Sequence, residues 1–305
     1  MGTTTFSGPV RSENQFKLIS KDSTTGLISD RTQSGDAAHD TRRYYLCESF
    51  LQRPALNAVA SAPLTDADAT AAANDAIIVA RAIASRNFEV LGTNMTTALC
   101  TFNATSAGIV LTTATADEDQ AILAPHLDTN QSAWQVTKWG TENQVDWECS
   151  INPNAIDNQK LWAGLKLTND QLVATDDDQA YFKFQTDATN SEAFTDFTKL
   201  HFVHAIGGTD YISQLPITVA ANTIYHLRIQ INSARQAAIF VNGIQYNVTT
   251  TAGSTGGTAV TTGTTRTAAL TDDVDLIPYI GIEAGAAAAE AVDVHYQGIS
   301  RVIFE

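Results

Sequence analysis

The chain has 305 residues, 44% of them hydrophobic, which is enough to bury a sizeable core and too apolar for a disordered chain. Its 18 basic and 33 acidic side chains leave a formal charge of −15. That argues against a nucleic-acid partner, whose phosphates need a basic surface, and against docking on a membrane of anionic lipid.

Residues 1–63 read as an extended N-terminal arm. Its first 45 or so residues are polar and rich in Gly, Ser and Thr, with sparse apolar positions and no sustained period. Such a stretch cannot offset its own ordering entropy and needs a surface to lie on. The start, MGTTTFSGPVRSENQ, shows none of the apolar run that a secretory signal needs, so synthesis in a cytoplasm is expected. Charge divides here as well. Residues 1–53 hold seven basic and six acidic side chains, and the remainder holds 11 and 27. A near-neutral segment therefore precedes a strongly acidic body.

Residues 64–86, LTDADATAAANDAIIVARAIASR, are Ala-rich, with Asp66 and Asp68 early and Arg81 and Arg86 late. That charge order matches a helix dipole and predicts a short helix. From residue 87 to 305 short apolar runs alternate with turn residues. Strands are expected at 88–91, 98–102, 108–112, 120–123, 144–151, 161–167, 180–184, 200–206, 224–231, 237–241, 244–248, 276–282 and 291–304. Tyr225, Leu227, Ile229 and Ile231 alternate with His226, Arg228 and Gln230, the period of a half-buried strand. Asn242-Gly243 between apolar runs signals a tight hairpin. The Thr/Gly stretch 249–271 reads as an exposed loop or a long hairpin tip. Cys47, Cys100 and Cys149 are odd in number and far apart, and read as free thiols of a reducing compartment.

The strand, turn and Asn-Gly hairpin in IYHLRIQINSARQAAIFVNGIQY, with the closing stretch DLIPYIGIEAGAAAAEAVDVHYQGISRVIF, resemble a concanavalin A-like, laminin G-type jelly roll. The fold class this implies is an all-β antiparallel sandwich. The phrases NFEVLGTNM, ILAPHLDTNQSAW and LWAGLKLTND resemble structural proteins of tailed-phage virions, and TTTFSGPVRSENQF resembles an arm of phage head proteins. This resemblance implies a non-enzymatic decoration, or cement, protein on the outside of a capsid. Its partners would be the major capsid protein and further copies of itself, as a dimer or trimer. Contacts to the capsid are assigned to Phe6, Arg11, Phe16, Arg42 and Arg43.

Candidate chemistry is sparse. The same fold hosts laminarinase-like hydrolases, whose motif is Glu-x-Asp-x-Glu on one strand. Here alternation places Gln144, Asp146 and Glu148 together. Gln144 occupies the nucleophile's place, and an amide cannot form a glycosyl ester. The competing reading is a polar outer face, with Val145 and Trp147 pointing inward. Of the acidic runs, Asp176, Asp177 and Asp178 are the place for a calcium ion if the domain holds one, although no run has the spacing of a calcium loop. His201 and His204 of HFVH fall on opposite faces of a strand and cannot share a metal. The alternative function is glycan binding by a lectin-like or tail-associated adhesin module. Trp134, Trp139, Trp147 and Trp162 are its available platforms, with Trp134 and Trp139 preferred because SAWQVTKWGTEN reads as a loop.

Overall fold

Alternation carries through into the folded chain. A computed structural model describes residues 18–21, 28–31, 43–51, 54–56, 88–125, 139–168, 170–187 and 192–302. Strands β1 (Leu18–Lys21) and β2 (Ile28–Arg31) form a hairpin. Then follow β3 (Arg43–Glu48), β4 (Ala55–Leu56), β5 (Glu89–Gly92), β6 (Cys100–Phe102), β7 (Ile109–Thr112), β8 (Gln120–Ala124) and β9 (Trp139–Gly140). The central run is β10 (Asp146–Pro153), β11 (Gln159–Lys166), β12 (Gln179–Gln185), β13 (Lys199–Ile206) and β14 (Thr209–Thr218). The last are β15 (Tyr225–Ile231), β16 (Ala237–Val241), β17 (Ile244–Tyr246), β18 (Thr258–Ala259), β19 (Asp275–Ala284) and β20 (Ala291–Val302).

Two sheets form a jelly-roll sandwich. The eight-stranded sheet runs β17-β16-β15-β10-β20-β7-β6, with β3 also on β20. The ten-stranded sheet runs β18-β14-β13-β12-β11-β19-β8-β5-β4, with β9 also on β19. Pairings are antiparallel except β4 with β5 and β14 with β18. Between the sheets lie Trp147, Cys149 and Ile151 of β10, Leu161 and Leu165 of β11, Phe182 and Phe184 of β12, and Ile229 of β15. Burying each large apolar side chain contributes about 1.5–3 kcal/mol. In β15 the alternate residues Tyr225, Leu227, Ile229 and Ile231 are buried, as their spacing predicts. Asn242 (φ 50°) and Gly243 (φ 79°) make the left-handed turn that joins β16 to β17.

The ten-stranded sheet is covered on its other face too. Leu91, Ile122, Trp162, Val173, Tyr181, Phe194, Val203, Ile212, Ile277 and Tyr279 form a second apolar cluster there. Every residue of β11 and β12 is consequently buried.

The sandwich departs from the sequence reading at the boundary of the arm and at residues 97–99. The arm does not extend to residue 63, because β3 lies along β20 from Gln297 to Val302 and β4 pairs with β5. The predicted helix 64–86 falls outside the described residues. Residues 97–99, at the start of one expected strand, form a 3-10 turn. The Thr/Gly stretch is largely exposed and irregular, as expected of a loop, and is also tied to the sandwich. Val248 donates to Thr265, Thr267 to Ala237 and Gly253 to Asp210, while Thr267 and Leu270 are buried. Backbone pairing, which needs no apolar side chain, straps this segment along both sheets. The three cysteines are free thiols, with Cys100 and Cys149 buried.

Candidate functional site

Strand alternation gives each sheet an outer face, and ionisable side chains gather on both. On the eight-stranded sheet the face is open. Asp146 and Glu148 project from β10, Arg228 from the neighbouring β15 and Tyr296 from β20. Arg228 grips Asp146 with two parallel hydrogen bonds, one of them Nε to Oδ1 at 2.7 Å, the geometry a guanidinium makes with a carboxylate. Arg228 also lies 5.6 Å from the centre of the Phe240 ring. Partial burial, then the charge of Asp146, raises the Glu148 carboxyl above its ordinary range. Burial, reinforced by Glu148, likewise raises the Tyr296 hydroxyl and the Cys47 thiol. Cys47 is nonetheless exposed at the surface. Asp146 is thus committed to Arg228, and Glu148 stands beside the pair.

Gln144 does not join that face. It adopts a left-handed conformation (φ 51°) after the turn 141–143, before β10 begins at Asp146. Val145 and Trp147 are fully buried, as the polar-outer-face reading requires.

The outer face of the ten-stranded sheet is closed and carries three buried lysines. Lys160 meets Glu283 at 2.6 Å and Asp187 at 3.3 Å. Lys166 meets Asp176 at 3.0 Å and Gln179 at 2.7 Å, over the Tyr181 ring. Lys183 meets Glu192 and both oxygens of Gln171. Burial pulls Lys183 down to about 8 and lowers Lys166, despite their acidic partners. At Lys160 burial acts in the same direction, but Glu283 and Asp187 outweigh it and hold the ammonium above its usual value. Each lysine is neutralised by an acid from another segment, the condition for burying charge at all. These lysines pass for a solvated strand face in the sequence. The signal against that is Trp162 and Tyr181, which share the face with them.

The residues singled out from the sequence do not converge. Phe6, Arg11, Phe16, Arg42 and Trp134 lie outside the described residues. Arg43 is half-buried at the start of β3, donating to the Ser300 hydroxyl at 2.9 Å and the Gln144 carbonyl at 2.9 Å. Trp139 is no glycan platform. It is buried in the core at 5.7 Å from Tyr44, because β9 pairs with β19 where a loop is predicted. Asp176, Asp177 and Asp178 point to different partners and do not form a calcium cradle. Asp176 accepts from the Leu167 and Thr168 amides and pairs with Lys166, whereas Asp178 accepts from Gly207 and Thr271. Asp177 is exposed. Among the described residues no three His, Cys, Asp or Glu side chains gather as metal ligands. His201 and His204 do face opposite sides. His201 stacks on Phe194 at 4.2 Å, and His204 stacks on Tyr211 at 4.6 Å. Burial lowers them to about 4 and about 3.

No family model and no curated protein matches the chain. Among solved structures it is similar to a protein of unknown function from Shewanella oneidensis MR-1, at 10% identity and a TM-score of 0.44, over 86% of this chain and 87% of that one. A family 7 alginate lyase matches at 12% identity and a TM-score of 0.41, over 70% and 85% of the two chains. A carbohydrate esterase from the Shiga toxin-encoding bacteriophage phi24B matches at 11% identity and a TM-score of 0.39, over 72% and 92%. Similarity at this level assigns neither a family nor an activity.

Proposed function

We propose that the chain is a non-enzymatic structural protein of a tailed-phage virion, a decoration protein that docks on the outer capsid surface through its N-terminal segment. The observation that carries this reading is the β1–β2 hairpin, which forms a two-stranded sheet of its own and, among the described residues, pairs with no strand of either sandwich sheet. A two-stranded hairpin is marginally stable at best in water, so it calls for a further surface. The flanking phrase FSGPVRSENQF resembles the arms of phage head proteins. The segment is near-neutral and can lie against an acidic shell, while the acidic body does not attract DNA. Spending the buried lysines and Arg228 on internal partners fits a body built for rigidity. A protein that binds only the assembled shell stabilises it by mass action, and no catalysis is required.

The test is co-sedimentation with capsids that lack the protein. Full-length chain should bind saturably, at a fixed ratio to shell subunits, and a chain of residues 43–305 should not. Equal binding by both would remove the docking role from the N-terminal segment, and no binding by either would remove the protein from the shell.

A further inference from the structure

Asn242 is the only asparagine of the chain that is followed by glycine. Asn242 and Gly243 are exposed and form the turn between β16 and β17. Two hydrogen bonds hold Asn242 against β15. Its backbone amide donates to the His226 carbonyl at 2.8 Å, and its side-chain Oδ1 accepts from the His226 amide at 2.9 Å. Gly243 is unencumbered. Among the described residues its amide donates no hydrogen bond, and a Cβ built on it would meet nothing within 4 Å.

An asparagine before a glycine carries a latent reaction. The glycine nitrogen can attack the asparagine Cγ, because no Cβ on the second residue obstructs the approach. Closing that five-membered ring needs the nitrogen to eclipse the asparagine Cα–Cβ bond. Positive φ at both residues, 50° and 79°, makes this turn type I′. Flipping the peptide bond between them gives type II′, with the first φ still about 60°, its ψ about −120° and the second φ about −80°. A ψ of about −120° is the eclipsed geometry that the ring requires. Both turn types join hairpin strands, so the flip leaves β16 and β17 paired. Asn242 already has the φ, and glycine takes either sign of φ without steric cost. The His226 N–H meanwhile points at Oδ1, the oxygen that becomes negative on attack at Cγ, as an oxyanion-hole donor does.

We propose that the Asn242-Gly243 turn is a self-modification site, at which Asn242 converts to aspartate and isoaspartate within the folded chain. The Gly243 nitrogen gives its proton to hydroxide and bonds to Cγ of Asn242. The Cγ–Nδ2 bond breaks, and Nδ2 leaves as ammonia with a proton from water. Water then opens the succinimide. Cleavage of the bond from nitrogen to Cγ gives aspartate, and cleavage of the bond to the backbone carbonyl carbon gives isoaspartate. Water enters, ammonia leaves, and nothing is oxidised or reduced. Aspartate adds a negative charge beside His226. Isoaspartate adds a methylene to the main chain between Val241 and Ile244, which pair across the turn. The site is independent of the capsid docking proposed above.

The test incubates the full chain at mildly alkaline pH, folded and unfolded in urea. Peptide mass spectrometry follows residue 242, an ammonia assay follows the leaving group, and methyl transfer by an isoaspartyl methyltransferase counts isoaspartate. In the folded chain Asn242 should be lost no more slowly than in the unfolded chain. It should also be lost about tenfold faster than Asn232, whose neighbour Ser233 carries a Cβ. Ammonia and isoaspartate should appear together, faster as pH rises, because the nitrogen attacks only without its proton. Asn242→Gln, which would need a six-membered ring, and Gly243→Ala should suppress both products. Should alanine at its positive φ disturb the turn, Asn242→Gln keeps the glycine and carries the same comparison, with thermal unfolding as the check on folding. Three outcomes would overturn the proposal. They are slower loss of Asn242 in the folded chain than in the unfolded one, equal loss at Asn242 and Asn232, or isoaspartate undiminished in Asn242→Gln.

Discussion

Deleting the N-terminal segment separates docking from folding only if the cut respects β3. Leu46 (2% exposed) and Phe50 (0%) belong to the main core, and Phe50 meets Phe88 edge-on at 5.9 Å. A chain beginning at residue 61 loses both side chains, at about 1.5–3 kcal/mol each. It also loses the aromatic contact, worth about 0.5–1.5 kcal/mol. The sum, about 3.5–7.5 kcal/mol, takes much of the 5–15 kcal/mol that about any domain possesses. A chain beginning at residue 43 keeps β3 on β20 and should match full length within about 0.5 kcal/mol, as a change away from the core does. Urea unfolding of the three chains measures this. Equal midpoints for 43–305 and 61–305 would refute the assignment of β3 to the sandwich.

Two further outcomes follow from the buried charges. Asp176→Ala should cost about 3–5 kcal/mol, because it leaves the Lys166 ammonium buried without its partner, whereas exposed Asp177→Ala should stay within about 0.5 kcal/mol; added calcium should move the melting temperature of neither, as thermal scans would show. His204 titrates near 3 when folded, against an ordinary value of about 6.5, so the unfolded chain takes up the proton first. Its contribution is intact above about pH 6.5 and falls by about 1.4 kcal/mol per pH unit between there and pH 3. Glu290, raised to about 6 by burial and the nearby Asp157 charge, acts in the opposite sense, so the comparison is between wild type and His204→Phe. The variant's acid slope should be shallower by that amount, and identical slopes would contradict a buried neutral His204.

The sandwich was legible where local signals and tertiary context agree. The β15–β16 stretch and the Asn242-Gly243 turn carry their own period and turn chemistry, and HFVH carries its opposed histidines. Context overrode local pattern elsewhere. β14 was not anticipated because Gly207-Gly208 and Pro216 punctuate it, although the glycines make the hairpin turn and the proline falls on a strand near the sheet's edge. Trp139 reads as a loop residue because its strand is two residues long and exists only through pairing with β19. The buried lysines were illegible for a different reason. Their partners Asp176, Asp187, Glu192 and Glu283 lie between 9 and 123 residues away, and alternation alone sends a lysine to solvent.

The central claim is that the protein docks by a segment outside its sandwich, and binding of full-length and 43–305 chains to bare capsids tests it most directly. Saturable sedimentation of the full chain, with none for 43–305 although that chain melts like the parent, is the predicted result. Equal sedimentation of the two, or none of either, would contradict it.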